Sequence, residues 1–216
     1  GHWPNGETVG PTPSPMKKVP LEMTGFIDKI ADRGLSKATC QKFGITQEVG
    51  PDGNITKHFY PYYNTKTGEH TATKKRVCAT KDFPWSGDRS DIGLFGQQTC
   101  KGRGKYVTVT EGELDAAAVS QMFDNRWDVV SLRDGAQSAL KGLREQLDFL
   151  EAYENIVLCF DADQYGREAV QAVQDLFSPG KLKIMKQPEG CKDAGDALIN
   201  GKQKEFMAAW WDAKTY

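Results

Sequence analysis

Apolar and polar positions change rhythm near residue 105. Before that point, "HFYPYYNTKTGEHTATKKRVCAT" (58–80) alternates aromatic, Thr and basic residues around the turn "NTKTGE", which predicts a hairpin-rich β segment. Upstream, "EMTGFIDKIADRGLSKATCQKFGI" (22–45) holds two short helical patterns around "DRGLS", with Ser36 placed as N-cap of the second. "KDFPWSGDRSDIGLFG" (81–96) reads as a loop, and the Pro/Gly-rich stretch 1–20 as a flexible lead-in. Beyond residue 105, strands are predicted at 106–110, 127–132, 155–160 and 181–186. Helices are predicted at about 113–123, 136–153, 167–177, 193–199 and 201–213. Strands and helices that alternate across short connections predict parallel β-α units, an α/β sheet flanked by helices. No internal repeat is visible, and no apolar run approaches the ~20 residues of a membrane span.

Charge sharpens this division. Residues 1–105 carry 16 Lys+Arg against 10 Asp+Glu, whereas residues 106–216 carry 12 against 19. A basic half joined to an acidic half suits a protein that holds a polyanion with one part and cations with the other; two solvated surfaces would give the same count. The five cysteines are widely spaced, without a Cys-x-x-Cys pair, so no zinc ribbon is expected. Scattered cysteines and the lack of a signal peptide suggest a reducing compartment.

The candidate chemistry lies in the acidic half. Glu111 falls at the carboxyl end of the first of its strands, in "VTVTEGELDAAAV", and Asp161 and Asp163 at the end of the third, in "VLCFDADQYGREA". Asp193 and Asp196, in "GCKDAGDAL", follow the fourth. Open parallel sheets bind ligands outside these strand ends. Acids gathered there repel one another unless a cation joins them, and hard oxygen donors without His or Cys favour Mg²⁺ or Mn²⁺. Each acid also has a structural role open to it. Glu113 could complement a helix dipole, and Asp163 and Asp193 could cap helices. Gly112 and Gly166 suit close backbone approach.

The strand-Glu-Gly and strand-Asp-x-Asp signatures, about 50 residues apart, resemble the Toprim domain, the catalytic fold of bacterial-type primases, topoisomerases and some nucleases. "DRGLSKATCQKFGI", "KKRVCATKDF", "VVSLRDGAQSA" and the segment from "PGKLKIMKQPEGCKDAGDALI" onward resemble the primase half of T-odd bacteriophage primase-helicases. The resemblance implies a smaller basic α+β N-terminal subdomain at 21–105, a Toprim catalytic domain at 106–200, and a C-terminal helix at 201–216 leading to a helicase half.

Glu111, Asp161 and Asp163 then match the catalytic acids, and these with Asp193 the metal-site acids; Asp196, spaced differently from the second acid of bacterial primases, ranks below Asp193. Lys75 and Lys81 match basic positions that contact nucleotide or nucleic-acid phosphates, and Arg76 joins them by proximity. The sequence departs from the family at "SLRDGA", where Arg133 and Asp134 precede the glycine.

The implied activity is that of a DNA primase, a metal-dependent nucleotidyltransferase of DNA replication. It would make or extend RNA primers from ribonucleoside triphosphates on single-stranded DNA, in the cytoplasm of the bacterial host. Phe59, Tyr60, Tyr62 and Tyr63 could help by stacking on template bases, or could be core. The alternatives are a Toprim nuclease or topoisomerase and a non-catalytic nucleic-acid-binding Toprim module. Neither the family's cysteine-built zinc domain nor a Gly-x4-Gly-Lys-Ser/Thr phosphate loop occurs in the sequence, so the zinc-binding and helicase domains are expected as partners within a longer protein.

Overall fold

The structure, a computed structural model, describes residues 19–216. Most of the expected lead-in lies outside the described residues. Val19 is already tied down, its carbonyl accepting the Gly87 amide at 2.9 Å. A 3-10 turn at Ala31–Arg33 leads to helix α1 (Lys37–Phe43), which Ser36 caps by accepting the Thr39 amide. Strands β1 (Thr46–Val49), β2 (Ile55–Tyr63), β3 (His70–Val77) and β4 (Trp85–Gly87) form an antiparallel sheet in that order. β4 lies within the stretch expected to be loop; three residues are too few for alternation to register in sequence.

The second half is built from β5 (Gly104–Thr110), α2 (Glu113–Met122), β6 (Asp128–Ser131), α3 (Ala139–Glu145), α4 (Leu147–Glu151), β7 (Tyr153–Cys159), α5 (Gln164–Val173), β8 (Leu182–Ile184), α6 (Ala194–Ile199), α7 (Gln203–Trp211) and β9 (Lys214–Thr215). The sheet order is β6-β5-β7-β8-β9, parallel except for β9. The α/β expectation therefore holds. The chain leaves β5 for one side of the sheet and returns to the other, so the strand order reverses between β5 and β7. A crevice opens at such a reversal beyond the strand ends.

Period-two alternation places Val107 and Val109 of β5 on one face and Tyr106 and Thr108 on the other. The first face packs against Leu143 of α3, Leu150 of α4 and Val173 of α5. The second packs under α2, α6 and α7, where the Trp210 indole donates to Thr108 Oγ1 at 2.9 Å. The antiparallel sheet joins this second cluster through Tyr60, Tyr62 and Ala72. The basic and acidic halves thus share one hydrophobic core.

The long helix expected at 136–153 is broken. A 3-10 turn at Ala136–Ser138 precedes α3, and Gln146, at φ −112° and ψ 24°, separates α3 from α4. Gln146 is held out of helical geometry by side-chain bonds to Gln97 and the Ile92 carbonyl. Tyr153 belongs to β7, its hydroxyl donating to Asp128 at 2.6 Å. Phe59, Tyr60 and Tyr62 are 0%, 1% and 0% exposed, so they are core side chains rather than a stacking surface. No described helix is long and apolar enough to cross a membrane.

Candidate active site

Glu111 directly follows β5, and Asp161 lies two residues beyond β7, on the two strands that flank the reversal point. They are locked together: the Asp161 amide donates to Glu111 Oε1 at 2.9 Å. Two further acids hold the next helices. Asp163 caps α5 by accepting the Gly166 amide at 2.8 Å, and Asp193 caps α6 by accepting the Asp196 amide at 2.8 Å. The capping roles open to these acids are therefore real; Asp193 also lines the crevice, whereas Asp163 lies outside its lining and faces Lys192. The close approach expected of Gly166 is seen as well: a Cβ there would lie 2.0 Å from the Asp161 carbonyl oxygen and 2.9 Å from Glu111 Oε1.

One acid that the sequence analysis did not single out completes the group. Asp115, in the first turn of α2, accepts the Gly195 amide at 3.0 Å. Carboxylate oxygens of Asp115, Asp161 and Asp193 lie within 4.8 Å of one another. Asp161 Oδ1 is buried and has no hydrogen-bond partner. Burial and mutual repulsion work in one direction here. Burial first, then the charges of Glu111, Asp193 and Asp163, push the Asp161 pKa up to about 7. Asp115 is raised well above its usual value by burial, then by Asp193 and Asp161. Burial is also the main cause of the upward shifts of Glu111 and Asp193. Lys192, 3.6 Å from Asp163, is the nearby counter-charge, and its own pKa is raised chiefly by Asp161. An orphaned oxygen within an all-oxygen cluster that resists ionisation fits a hard divalent cation.

The antiparallel sheet forms the opposite wall of a cleft of about 510 Å³, within the usual range for ligand sites. Lys74, Arg76, Phe83 and Trp85 line it, together with Arg33 from the N-terminal turn and Asp134 from the loop after β6. Lys75 does not, because adjacent residues of a strand face opposite ways. It pairs instead with Glu22 at 3.3 Å. Lys81 lies on the β3–β4 connection at φ 58°, outside the cleft lining. Arg76 is therefore the member of the expected basic trio that reaches the cleft. Lys74 supplies the second cation of this wall: its ammonium donates to Glu113 Oε1 at 2.8 Å and to the Arg133 carbonyl at 2.6 Å. Glu113, 5% exposed, also accepts the Tyr62 hydroxyl at 2.9 Å. It is the buried anchor between the two sheets, besides starting α2. Asp134 is held by Arg89 at 2.8 Å.

Comparison with known proteins finds relatives of both the sequence and the fold. Residues 108–198 match a Toprim-like family. The chain is 32% identical over 197 residues to the DNA helicase/primase of Enterobacteria phage T3, covering 90% of this chain and 33% of that protein. It thus spans about a third of the length of that curated relative. The crystal structure of the primase fragment of the bacteriophage T7 primase-helicase superposes with a TM-score of 0.80 at 32% identity, over 94% of this chain and 83% of that one. A second T7 structure holds primase domains bound to an RNA/DNA hybrid and dTTP beside the lagging-strand DNA polymerase. It matches with a TM-score of 0.77 at 34% identity, over 89% and 94% of the two chains. With the acid-bearing sheet and the basic antiparallel sheet both matched, the chain belongs to the Toprim-type primases of the bacteriophage primase-helicase family.

Proposed function

We propose that this chain is the RNA-polymerising core of a primase, which joins ribonucleotides into short primers on single-stranded DNA by divalent-cation-assisted nucleotidyl transfer. The observation that carries this function is the opposition of charge across one cleft: Asp115, Asp161 and Asp193 on one wall, Lys74 and Arg76 on the other, with Arg33 also in the lining. A triphosphate needs cations along its length, and a reacting phosphate needs a metal between it and the protein acids. The T7 relatives bound to an RNA/DNA hybrid and dTTP support nucleic acid and nucleotide as partners.

In the reaction, the 3′-hydroxyl oxygen of the primer forms a bond to the α-phosphorus of a ribonucleoside triphosphate. The bond to pyrophosphate breaks and the hydroxyl proton is lost. Mg²⁺ or Mn²⁺ held by Asp115, Asp161 and Asp193, with Glu111 and Asp163 beside them, would supply positive charge that lowers the hydroxyl pKa and stabilises the oxygens gaining charge. Arg76, Arg33 and Lys74 neutralise the triphosphate and orient it. Glu111, fixed at the end of β5 by the Asp161 amide and beside the acids that would hold the metal, is the proton acceptor in this scheme. Lys81, on the β3–β4 connection and outside the cleft lining, is assigned to nucleic-acid phosphate rather than to the reacting nucleotide. Within a longer protein, zinc-binding and helicase domains would be its partners, and the host cytoplasm its place of action.

The test follows the products. Labelled single-stranded DNA, a short RNA primer, ribonucleotides and Mg²⁺ or Mn²⁺ should yield pyrophosphate and longer RNA, with the DNA intact. Shortened DNA without RNA growth would instead identify a nuclease. Glu111→Gln should abolish synthesis and retain DNA binding; unchanged synthesis would remove Glu111 from the chemistry. Gly166→Ala should displace Asp161 from Glu111, because the added Cβ would lie within 2.0 Å of the Asp161 carbonyl. A misplacement on that scale is expected to slow synthesis on the order of 100-fold, read by single-turnover extension alongside a thermal melt.

A further inference from the structure

The aromatics buried in β2 cannot meet a nucleobase, but another ring in the cleft can. Phe83 is 42% exposed and lines the same cleft as the acids. A single exposed apolar side chain is ordinary; the way this one is held is not. The carbonyls on either side of it are pinned to β3, with Asp82 accepting the Val77 amide at 2.9 Å and Pro84 the Lys75 amide at 2.9 Å. The ring is therefore presented to solvent on fixed backbone. Lys74 Nζ stands 5.3 Å and Arg76 Cζ 5.5 Å from its centroid, within cation–π range. The neighbouring Trp85 is already engaged, tilted against Tyr62 at 4.7 Å with the Arg89 guanidinium over it at 3.9 Å. Arg89 is in turn held by Asp134.

A ring that stays 42% exposed with two cations against it matches the chemistry of a nucleotide, a flat π-system joined through a short sugar to phosphates. We infer that Phe83 stacks on the nucleobase of the ribonucleoside triphosphate whose phosphates lie against Lys74 and Arg76. This rests on the proposed polymerase function and adds to it a contact with the substrate base. Stacking on an aromatic ring tolerates any base, so Phe83 contributes affinity without choosing among the four ribonucleotides. A template base offers the same chemistry, but the pairing of the ring with the two phosphate-neutralising cations of the cleft favours the nucleotide.

The experiment measures equilibrium binding of ATP, CTP, inorganic tripolyphosphate and a single-stranded DNA oligonucleotide to the wild-type chain and to Phe83→Ala, Phe83→Leu and Phe83→Tyr. Ala and Leu are expected to weaken ATP and CTP roughly tenfold or more, with tripolyphosphate and DNA unchanged and Tyr close to wild type. The KM for ribonucleotide should rise in step. The inference is overturned by any of three results: tripolyphosphate weakened as much as ATP, Leu restoring binding as well as Tyr, or ATP affinity unaltered. Loss of DNA affinity with ATP affinity retained would also overturn it, by placing a template base on the ring. The two claims can fail separately. A wild-type chain that makes no RNA, yet shows the ATP-specific loss, keeps the stacking contact and discards the polymerase; an active chain with unaltered ATP affinity in Phe83→Ala does the reverse.

Discussion

Asp161→Asn is expected to cut metal-dependent primer extension by on the order of 10²–10³-fold and, in chelator at pH 8, to raise the melting temperature. Both effects come from one cause. Asp161 lies among Glu111, Asp163 and Asp193, and burial together with these charges lifts its pKa to about 7, against ~3.9 in an unfolded chain. The folded protein therefore binds more protons than the unfolded one between those values. Metal-free stability falls as pH rises from about 4 to about 7 and stays low above that. The upward shifts of Glu111, Asp115 and Asp193 act in the same direction. Asparagine removes one charge from the cluster, so the variant should show a flatter pH dependence. Divalent cation should reverse the order, stabilising the wild type by mass action and the variant less. Thermal melts at pH 5 and pH 8, with EDTA and with Mg²⁺, check this. Equal slopes for the two proteins in EDTA would remove repulsion among the acids as the cause.

The second large effect concerns folding. Lys74→Met is expected to destabilise the protein by about 3–5 kcal/mol, because it leaves the Glu113 carboxylate, 5% exposed, without its cation. The Tyr62 hydroxyl would remain as a partner, but a neutral donor does not replace an ammonium. The Arg133 carbonyl would lose its donor as well. Lys74 belongs to the antiparallel sheet and Glu113 to the first turn of α2, so the loss falls on the junction that sets the width of the cleft. The double variant Lys74→Met/Glu113→Gln should recover most of the stability, since no buried charge is left unpaired. It should not recover nucleotide binding, for which the cation itself is needed. Urea unfolding of the single and double variants separates these effects; a double variant no more stable than the single would show that the ion pair is not what joins the sheets.

Much of the site was legible in sequence because it sits at strand ends. Glu111, Asp161 and Asp163 follow apolar runs whose termination is visible, and Asp193 precedes a short helical pattern. Asp115 was hidden by its surroundings: it lies in "ELDAAAV", where an acid reads as a helix-dipole residue. Its place in the first turn of the helix that begins two residues after Glu111 was the available signal, since that turn starts at the same strand end.

The cations show the opposite fault. "TKKRV" offered three adjacent positive charges, and strand alternation alone decides among them: Lys74 and Arg76 share the face of buried Ala72, and Lys75 points away. The aromatic run "FYPYY" resisted periodicity because β2 is covered on both faces, so Phe59 and Tyr60, though neighbours, are both buried. The two-residue strand β9 and the break at Gln146 depend on distant partners, Lys183 and Ile184 in the first case and Ile92 and Gln97 in the second. No local pattern announces such contacts.

The central claim is that the acids of this cleft support template-directed RNA synthesis. Its most direct measurement is the lengthening of a labelled RNA primer on a DNA template, wild type and Asp161→Asn run side by side with Mg²⁺ and with EDTA. The wild type with Mg²⁺ should add ribonucleotides complementary to the template, the variant with Mg²⁺ should do so on the order of 10²–10³-fold more slowly, and both reactions in EDTA should leave the primer at its starting length. Equal extension by the variant, or extension by the wild type in EDTA, would contradict it.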